Sequence, residues 1–314
     1  MTRSLISIDD LVADDVERLL ESATRFEQVM SRDIKKVPTL RGRTVVNCFF
    51  EASTRTSTSF ELAAKRLSAD VVSIKASGSS LEKGESLKDT ILTLNAYEPD
   101  IFVIRHRAIG ACQQATRYTD AGVLNAGDGM HQHPTQALLD LYTLRHEVGP
   151  IAGLHVALVG DVAHSRVARS LIAALKMMGA QVSVVAPPTL IPRDLAAAFD
   201  IHVSTDIADI EDADVVYALR MQHERMGSGG FVPSLRDYAR AYCVTSARLR
   251  PTQRVMHAGP MNRGVEISDE VADSPAALIQ QQAANGLVVR MAVLYDLLAE
   301  PATSVLPVAE LSAA

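Results

Sequence analysis

Tryptophan is absent from this 314-residue chain, and aromatic residues of all kinds make up 4% of it, so large aromatic anchors play little part. Cysteine is scarce. Cys48, Cys112 and Cys243 are odd in number, far apart and without CxxC spacing, which points to free buried thiols in a reducing compartment. No apolar run approaches the ~18 residues that a membrane span needs. The N-terminus, MTRSLISIDD, turns acidic by Asp9 and lacks the long apolar stretch of a signal peptide. A cytoplasmic protein is the expectation, with no membrane partner. Positive charge is not in excess either: the formal net charge is -6, which argues against non-specific nucleic-acid binding. Neither GxxxxGK[ST] nor GxGxxG occurs, which argues against an NTP-binding P-loop and a nicotinamide cofactor.

What is present suffices for two cores. The length exceeds the comfortable size of one domain, and apolar residues make up 47%. Residues 8–30 carry apolar positions at helical spacing, with Asp9 or Asp10 as the expected cap. Short apolar runs then alternate with helical patterns: strands over 44–50, 71–74, 101–104 and 123–124, helices over 55–67 and 86–97. Pro134 opens a further helix that Gly149-Pro150 ends. The alternation restarts with strands at 154–159, 182–185, 201–203, 215–219 and 255–256, a helix over 166–178 and a final helix over about 276–299. The expected fold class is α/β, two domains each built on a parallel β-sheet flanked by helices, with the active site in the interdomain cleft. The unusual polar residues all follow strands: EASTRT, RH and NAGDG in the first half, GD, RMQ and HAGP in the second. Ligands of open parallel sheets sit at those strand ends.

Each motif carries a functional reading beside a plainer one. Ser53-Thr54-Arg55-Thr56-Ser57 stands at a strand-to-helix junction, where free N–H groups, hydroxyls and a guanidinium make an anion cradle; an ordinary N-cap is the alternative. Arg105 follows a buried strand and needs either a partner or a route to solvent. His131 and His133 admit capping, catalysis or metal ligation, although no third ligand stands nearby at metal spacing, and Gln136 lies one turn on. Arg166 reads as a carboxylate grip or as a surface arginine. Arg220-Met221-Gln222-His223-Glu224-Arg225 reads as a mobile recognition loop or a charged surface loop. Ser79 to Ser86 has the length and composition of a lid, and also of a plain surface loop.

In order, and spread from about Phe49 to Arg290, the segments FFEASTRTSTSFE, KGESLKDT, HPTQALLD and HAGPMNRGVEI resemble the signatures of the aspartate/ornithine carbamoyltransferase family. KGES, RMQ-x-ER and GPMNRGVEI resemble its aspartate branch; the ornithine branch carries a Cys where this chain has His257-Ala258-Gly259-Pro260. The resemblance implies transfer of the carbamoyl group of carbamoyl phosphate to L-aspartate, a step of de novo pyrimidine synthesis, without metal or cofactor. It implies that Ser53, Thr54, Arg55 and Thr56 hold the phosphate, and that Arg105, His133 and Gln136 hold the carbamoyl group. Arg166 and Arg220 would each grip one aspartate carboxylate, with Gln222 assisting. Gly259 and Pro260 would present backbone carbonyls, and Lys83 would arrive from the neighbouring subunit of a homotrimer. Catalysis would fall to Arg55, Thr56, Lys83, Arg105 and His133. The implied division is 1–134 plus a C-terminal helix over about 289–310 for carbamoyl phosphate, and 135–288 for aspartate. A larger assembly with regulatory or dihydroorotase chains stays open, as do another acceptor such as ornithine and a non-catalytic protein that binds an anionic metabolite. Val167 and Ala258 depart from the family pattern, where some members carry Thr and Pro respectively.

Overall fold

The computed structural model describes residues 4–75, 84–226 and 230–299, the side chain of 223 aside. The elements follow in order: α1 (Ala13–Met30), β1 (Thr44–Phe49), α2 (Thr54–Arg66), β2 (Asp70–Lys75), α3 (Leu87–Asn95), β3 (Ile101–His106), α4 (Ala111–Ala115), β4 (Gly122–Asp128) and α5 (Pro134–Glu147). The second half continues with β5 (His155–Gly160), α6 (Arg166–Met177), β6 (Gln181–Val185), α7 (Leu195–Phe199), β7 (His202–Ser204), β8 (Val215–Leu219), α8 (Leu235–Tyr242), β9 (Arg254–Met256), α9 (Asp269–Ala272) and α10 (Ile279–Leu298). All pairings are parallel, in two sheets ordered β2-β1-β3-β4 and β7-β6-β5-β8-β9.

The order of strands decides where a ligand can enter. The chain lays down β1, steps one way to β2, then crosses back to β3 on the other side; β5, β6 and β8 repeat the manoeuvre. Loops leaving β1 and β3, and β5 and β8, therefore diverge, and each pair opens a crevice at the carboxyl ends. At both crevices the chain passes from a strand into a helix N-terminus that a serine caps. Ser53 Oγ accepts the Thr56 N–H at 3.3 Å, and Ser165 Oγ accepts that of Ala168 at 3.1 Å.

Central strands are buried on both faces, as parallel strands covered by helices must be: β8 throughout, and β1 and β5 but for their first residue. β4, at the edge of its sheet, is buried throughout as well, and Leu5 bridges to it at Leu124. β2 is the exception, an edge strand with most of its residues open to solvent. One apolar core runs through both halves around α5, which is buried along Pro134–Leu144 with no solvent-facing stripe. α10 packs on α1, α2 and α5, so the end of the chain returns to the first half. A division at residue 289 falls inside this helix, and its expected continuation to 310 lies, from residue 300, outside the described residues.

Three differences from the sequence reading have physical causes. Asp10 does not cap α1: its carboxylate accepts the N–H groups of Ile6 and Ser7 and closes a separate 3-10 turn. The helix starts at Ala13, where Asp15 reaches back to the Val12 N–H at 3.3 Å, and Val12, read as a core position, is 62% exposed. β4 continues through residues 125–128, beyond the strand expected over 123–124. Gly127 belongs there because a Cβ would lie 2.8 Å from Nε of Arg166. The short helices α4, α7, α8 and α9 carry too few turns to show a period.

Candidate active site

The two crevices face one another across a cavity of about 1590 Å³. Twelve of the thirteen residues singled out from sequence line it: Ser53, Thr54, Arg55, Thr56, Arg105, His133, Gln136, Arg166, Arg220, Gln222, Gly259 and Pro260. Lys83, and with it most of the expected lid, lies outside the described residues. Seven arginines and three glutamates among the described residues line the cavity, so a chain of net charge -6 presents a cationic interior.

α2 supplies the first wall. Its N-terminus points free N–H groups and the positive end of the helix dipole at the cavity. Ser53 does cap the helix, so the plainer reading holds for its hydroxyl in this state; Arg55, exposed to the cavity, is not consumed by the cap. Burial and the facing charge of Arg220 both lower the Arg55 pKa. Like charges held face to face across an open space mark a place for an anion. Gly259, in the left-handed region at φ +63, lies so near that a Cβ would stand 3.0 Å from Cζ of Arg55.

Glu51 is the residue that sequence reading missed. It lies two residues beyond β1, just before the hydroxyl run, and its Oε1 accepts from Arg105 at 2.7 Å and from Arg166 at 2.7 Å. Its Oε2 accepts from Arg166 at 3.2 Å, and Arg225 stands 3.7 Å from Oε1. Burial alone would raise the Glu51 pKa; the bond from Arg166 and the charges of Arg105 and Arg225 outweigh it and leave it lowered. One carboxylate from the first sheet thus holds guanidinium groups from β3, α6 and the loop after β8. Arg105 has the partner that its burial demanded, and burial with the Arg166 charge brings its pKa down to about 10. Arg166 is no surface arginine: it is 4% exposed and also donates to the Gly129 carbonyl at 3.1 Å.

On the second wall, Arg220 donates to Gln222 Oε1 at 2.8 Å and to both Glu224 oxygens, so its fork already holds a carboxylate. The 220–225 segment is anchored rather than loose up to that point. Met221 is fully buried, the Gln222 N–H donates to Asp161 at 3.0 Å, and Arg225 donates to the His164 carbonyl at 3.0 Å.

His133 occupies the N-cap position of α5, but its side chain caps nothing. Its N–H donates to Ser170 Oγ at 2.8 Å, while its buried Nδ1 has no hydrogen-bond partner among the described residues. Burial first, then the charges of Arg166 and Arg105, hold its pKa well below the ordinary value, so the ring is neutral near pH 7. His131 pairs with Asp128 at 3.2 Å instead of joining it. Among the described residues no group of three or more His, Cys, Asp or Glu stands close enough to hold a metal ion. Behind Gln136, Asp140 is fully buried, and burial outweighs the bonds from Gln282, Tyr217 and Gln136 to bring its carboxyl to about 7. The three cysteines are free and buried, as expected, and no described helix is long and apolar enough to cross a membrane.

Residues 3–146 match the family model of the aspartate/ornithine carbamoyltransferase carbamoyl-P binding domain, and residues 152–297 match that of the Asp/Orn binding domain. The aspartate carbamoyltransferase catalytic subunit of Salinispora tropica is 55% identical over 304 residues, covering 95% of this chain and 98% of that one. Aspartate transcarbamoylase of Trypanosoma cruzi, solved with carbamoyl phosphate and aspartate, superposes with a TM-score of 0.84 at 32% identity over 94% of this chain and 97% of that one. The catalytic subunit of the M. jannaschii enzyme superposes with a TM-score of 0.81 at 35% identity over 94% and 98%.

Proposed function

The chain belongs to the aspartate/ornithine carbamoyltransferase family, and from that premise we propose that it is an aspartate carbamoyltransferase, giving N-carbamoyl-L-aspartate and phosphate from carbamoyl phosphate and L-aspartate. The observation that carries this reading is the confrontation of a helix N-terminus bearing Ser53 to Thr56 with the arginines of the other sheet, Arg166 and Arg220, across one cavity. The first is built for a phosphate, the second for a dicarboxylate.

In this mechanism the phosphate sits on the first turn of α2, held by Ser53, Thr54, Arg55 and Thr56. Arg105, His133 and Gln136 hold the carbamoyl group. Arg166 and Arg220 grip the two carboxylates of aspartate with help from Gln222, and Arg220 exchanges Glu224 for the substrate. The carbonyls of Gly259 and Pro260 accept from the substrate amine. That amine, neutral, attacks the carbonyl carbon. The oxyanion that forms meets Arg105 and a neutral imidazole, and the C–O bond to phosphate then breaks, the phosphate leaving with the amine proton. No covalent enzyme intermediate and no metal or cofactor enters. Catalysis is positioning together with electrostatic stabilisation by groups already in place.

Residues 1–134 with the C-terminal helix would form the carbamoyl-phosphate half and residues 135–288 the aspartate half. The return of α10 to α1 and α2 supports this division. Lys83 completes the site from a neighbouring copy in a homotrimer. The support is that β2, an exposed edge strand with Val72 48% open to solvent, leads directly into the segment that carries Lys83. The setting is cytoplasmic, in keeping with three free thiols.

An acceptor panel tests the reading. Purified protein is incubated with carbamoyl phosphate and aspartate, ornithine or other amino acids, with and without chelator. Carbamoyl aspartate formed irrespective of chelator is the expected result. Citrulline from ornithine, or ligand binding without phosphate release, would overturn it.

A further inference from the structure

Asp140 makes no contact with substrate in the mechanism above, yet side chains from its own helix, from β8 and from α10 converge on it. It lies fully buried on α5, one turn beyond Gln136. Its Oδ1 accepts from Gln136 Nε2 at 3.1 Å and from Gln282 Nε2 at 2.7 Å, and its Oδ2 accepts from Tyr217 Oη at 2.8 Å. Each donor leads to a different part of the site. Gln136 lines the cavity on the carbamoyl side. Tyr217 belongs to β8, the strand that ends at Leu219 and delivers Arg220. Gln282 turns its own oxygen to the His257 N–H at 2.9 Å, at the start of the segment that carries Gly259 and Pro260. Farther along the same segment, His257 Nδ1 accepts the Gly259 N–H at 2.8 Å.

Stability is a poor reason to keep such a group. Burying a carboxylate is costly, and apolar side chains of similar volume commonly replace buried ionic groups without loss. What apolar packing cannot do is fix the rotation of three polar side chains at once, because only directional bonds specify an orientation.

We propose that Asp140 is a positioning residue: it holds Gln136, the root of the Arg220 strand and the 257–260 segment in one register, so that the carbamoyl half and the acceptor half of the site are aligned by one buried carboxylate. The proposal rests on the carbamoyltransferase reading, since the three segments need alignment only if two substrates meet between them. The charged and titratable groups that bear on Asp140 are the Tyr217 hydroxyl from β8 and the Arg290 guanidinium from α10, itself buried over the Phe60 ring.

Asp140→Leu removes all three bonds while keeping four side-chain heavy atoms in the same branched arrangement, and Asp140→Asn keeps an oxygen for Gln136 and Gln282. Carbamoyl phosphate affinity is measured by calorimetry, turnover with aspartate by product formation, and both are referred to the folded fraction. The expected result for Asp140→Leu is carbamoyl phosphate affinity weaker by about 10- to 100-fold, the scale of hydrogen bonds to a charged group, with Asp140→Asn between it and wild type. Gln282→Leu cuts the relay to His257 together with the Gln282 bond to Asp140, and leaves the bonds from Gln136 and Tyr217 in place. It should lower turnover while leaving carbamoyl phosphate affinity within a few-fold, and it decides the matter should Asp140→Leu not fold. A folded Asp140→Leu with wild-type affinity, or a Gln282→Leu with wild-type turnover, overturns the proposal. So does a variant whose only defect is a lower melting temperature. Failure of the wild type to form carbamoyl aspartate would instead sink the reading beneath it, while the calorimetric comparison still reads the network, because it needs no acceptor.

Discussion

Replacing Glu51 by Gln keeps its shape and removes its charge, and the consequences follow from the distances. Arg105 and Arg166 each lose an anionic acceptor at 2.7 Å, Arg166 also loses the 3.2 Å bond, and Arg225 loses the field of a charge 3.7 Å away. Hydrogen bonds to charged groups contribute about 1.5–3 kcal/mol each. Full loss of several is too large a figure, because the Glu51 side chain is 25% exposed and the amide oxygen of Gln can still accept one bond. An overall cost of about 2–3 kcal/mol in transition-state binding is reasonable, or about 30- to 150-fold in kcat/KM. The proposed mechanism gives Arg105 to one substrate and Arg166 to the other, so both KM values should rise. Steady-state kinetics with each substrate varied in turn, on protein whose melting temperature is also recorded, is the assay. A folded Glu51→Gln enzyme with wild-type kcat/KM for both substrates would refute the idea that this carboxylate orders the arginines. A pH arm accompanies it. Because the folded pKa of Glu51 is lowered, its contribution to stability is present above the unfolded value near 4.3 and is lost as pH falls through the folded one. Wild type should therefore lose more stability than Glu51→Gln below about pH 4.3.

Three further outcomes are expected. His133→Ala should lower turnover by roughly 10²–10³ with little change in melting temperature, because its side chain caps nothing. Its native pKa is depressed, so the unfolded chain binds the extra proton, and wild-type stability should fall as pH drops through ~6.5 where the variant lacks that contribution; equal slopes would contradict a buried neutral ring. Arg220→Lys should raise KM for aspartate far more than for carbamoyl phosphate, since lysine cannot reproduce a two-pronged grip; equal damage to both would remove Arg220 from the aspartate subsite. Lys83→Ala and Arg55→Ala, each inactive, should regain activity when dissociated, mixed and reassembled, because some interfaces then join an intact Lys83 to an intact Arg55; proven chain exchange without recovery would place Lys83 outside any shared site.

Much of the fold was legible because parallel strands leave a plain mark. Val215–Leu219 is an unbroken apolar run, Thr44–Phe49 is apolar from Val45 on but for Asn47, and polar loops follow each at a strand end. The arginines were legible for a related reason: a guanidinium beside a buried strand, as at Arg105, or in a helix's first turn, as at Arg166, demands an explanation. Glu51 was not legible. Next to an anion site a carboxylate looks out of place, and its purpose emerges only when residues 105, 166 and 225, remote in sequence, fold around it. Asp140 was hidden similarly, as one polar residue in a helix whose period gave no hint that every face is buried. The extent of β4 was obscured by Asn125, Gly127 and Asp128, turn-forming types: Arg166 takes the space beside Gly127, Asn125 donates to the Ile6 carbonyl and to Asp128, and Asp128 accepts the N–H groups of Gly110 and Gln132.

The central claim is that phosphate and dicarboxylate subsites on facing sheets carry out one transfer between them. Carbamoyl phosphate labelled with carbon-13 at the carbonyl, followed by NMR in the presence of L-aspartate, tests it most directly. The label should pass to N-carbamoyl-L-aspartate one for one with phosphate released, and should stay in carbamoyl phosphate when aspartate is replaced by ornithine. Phosphate release with the label lost to carbonate, or a label unmoved in the presence of folded protein and both substrates, would contradict the account.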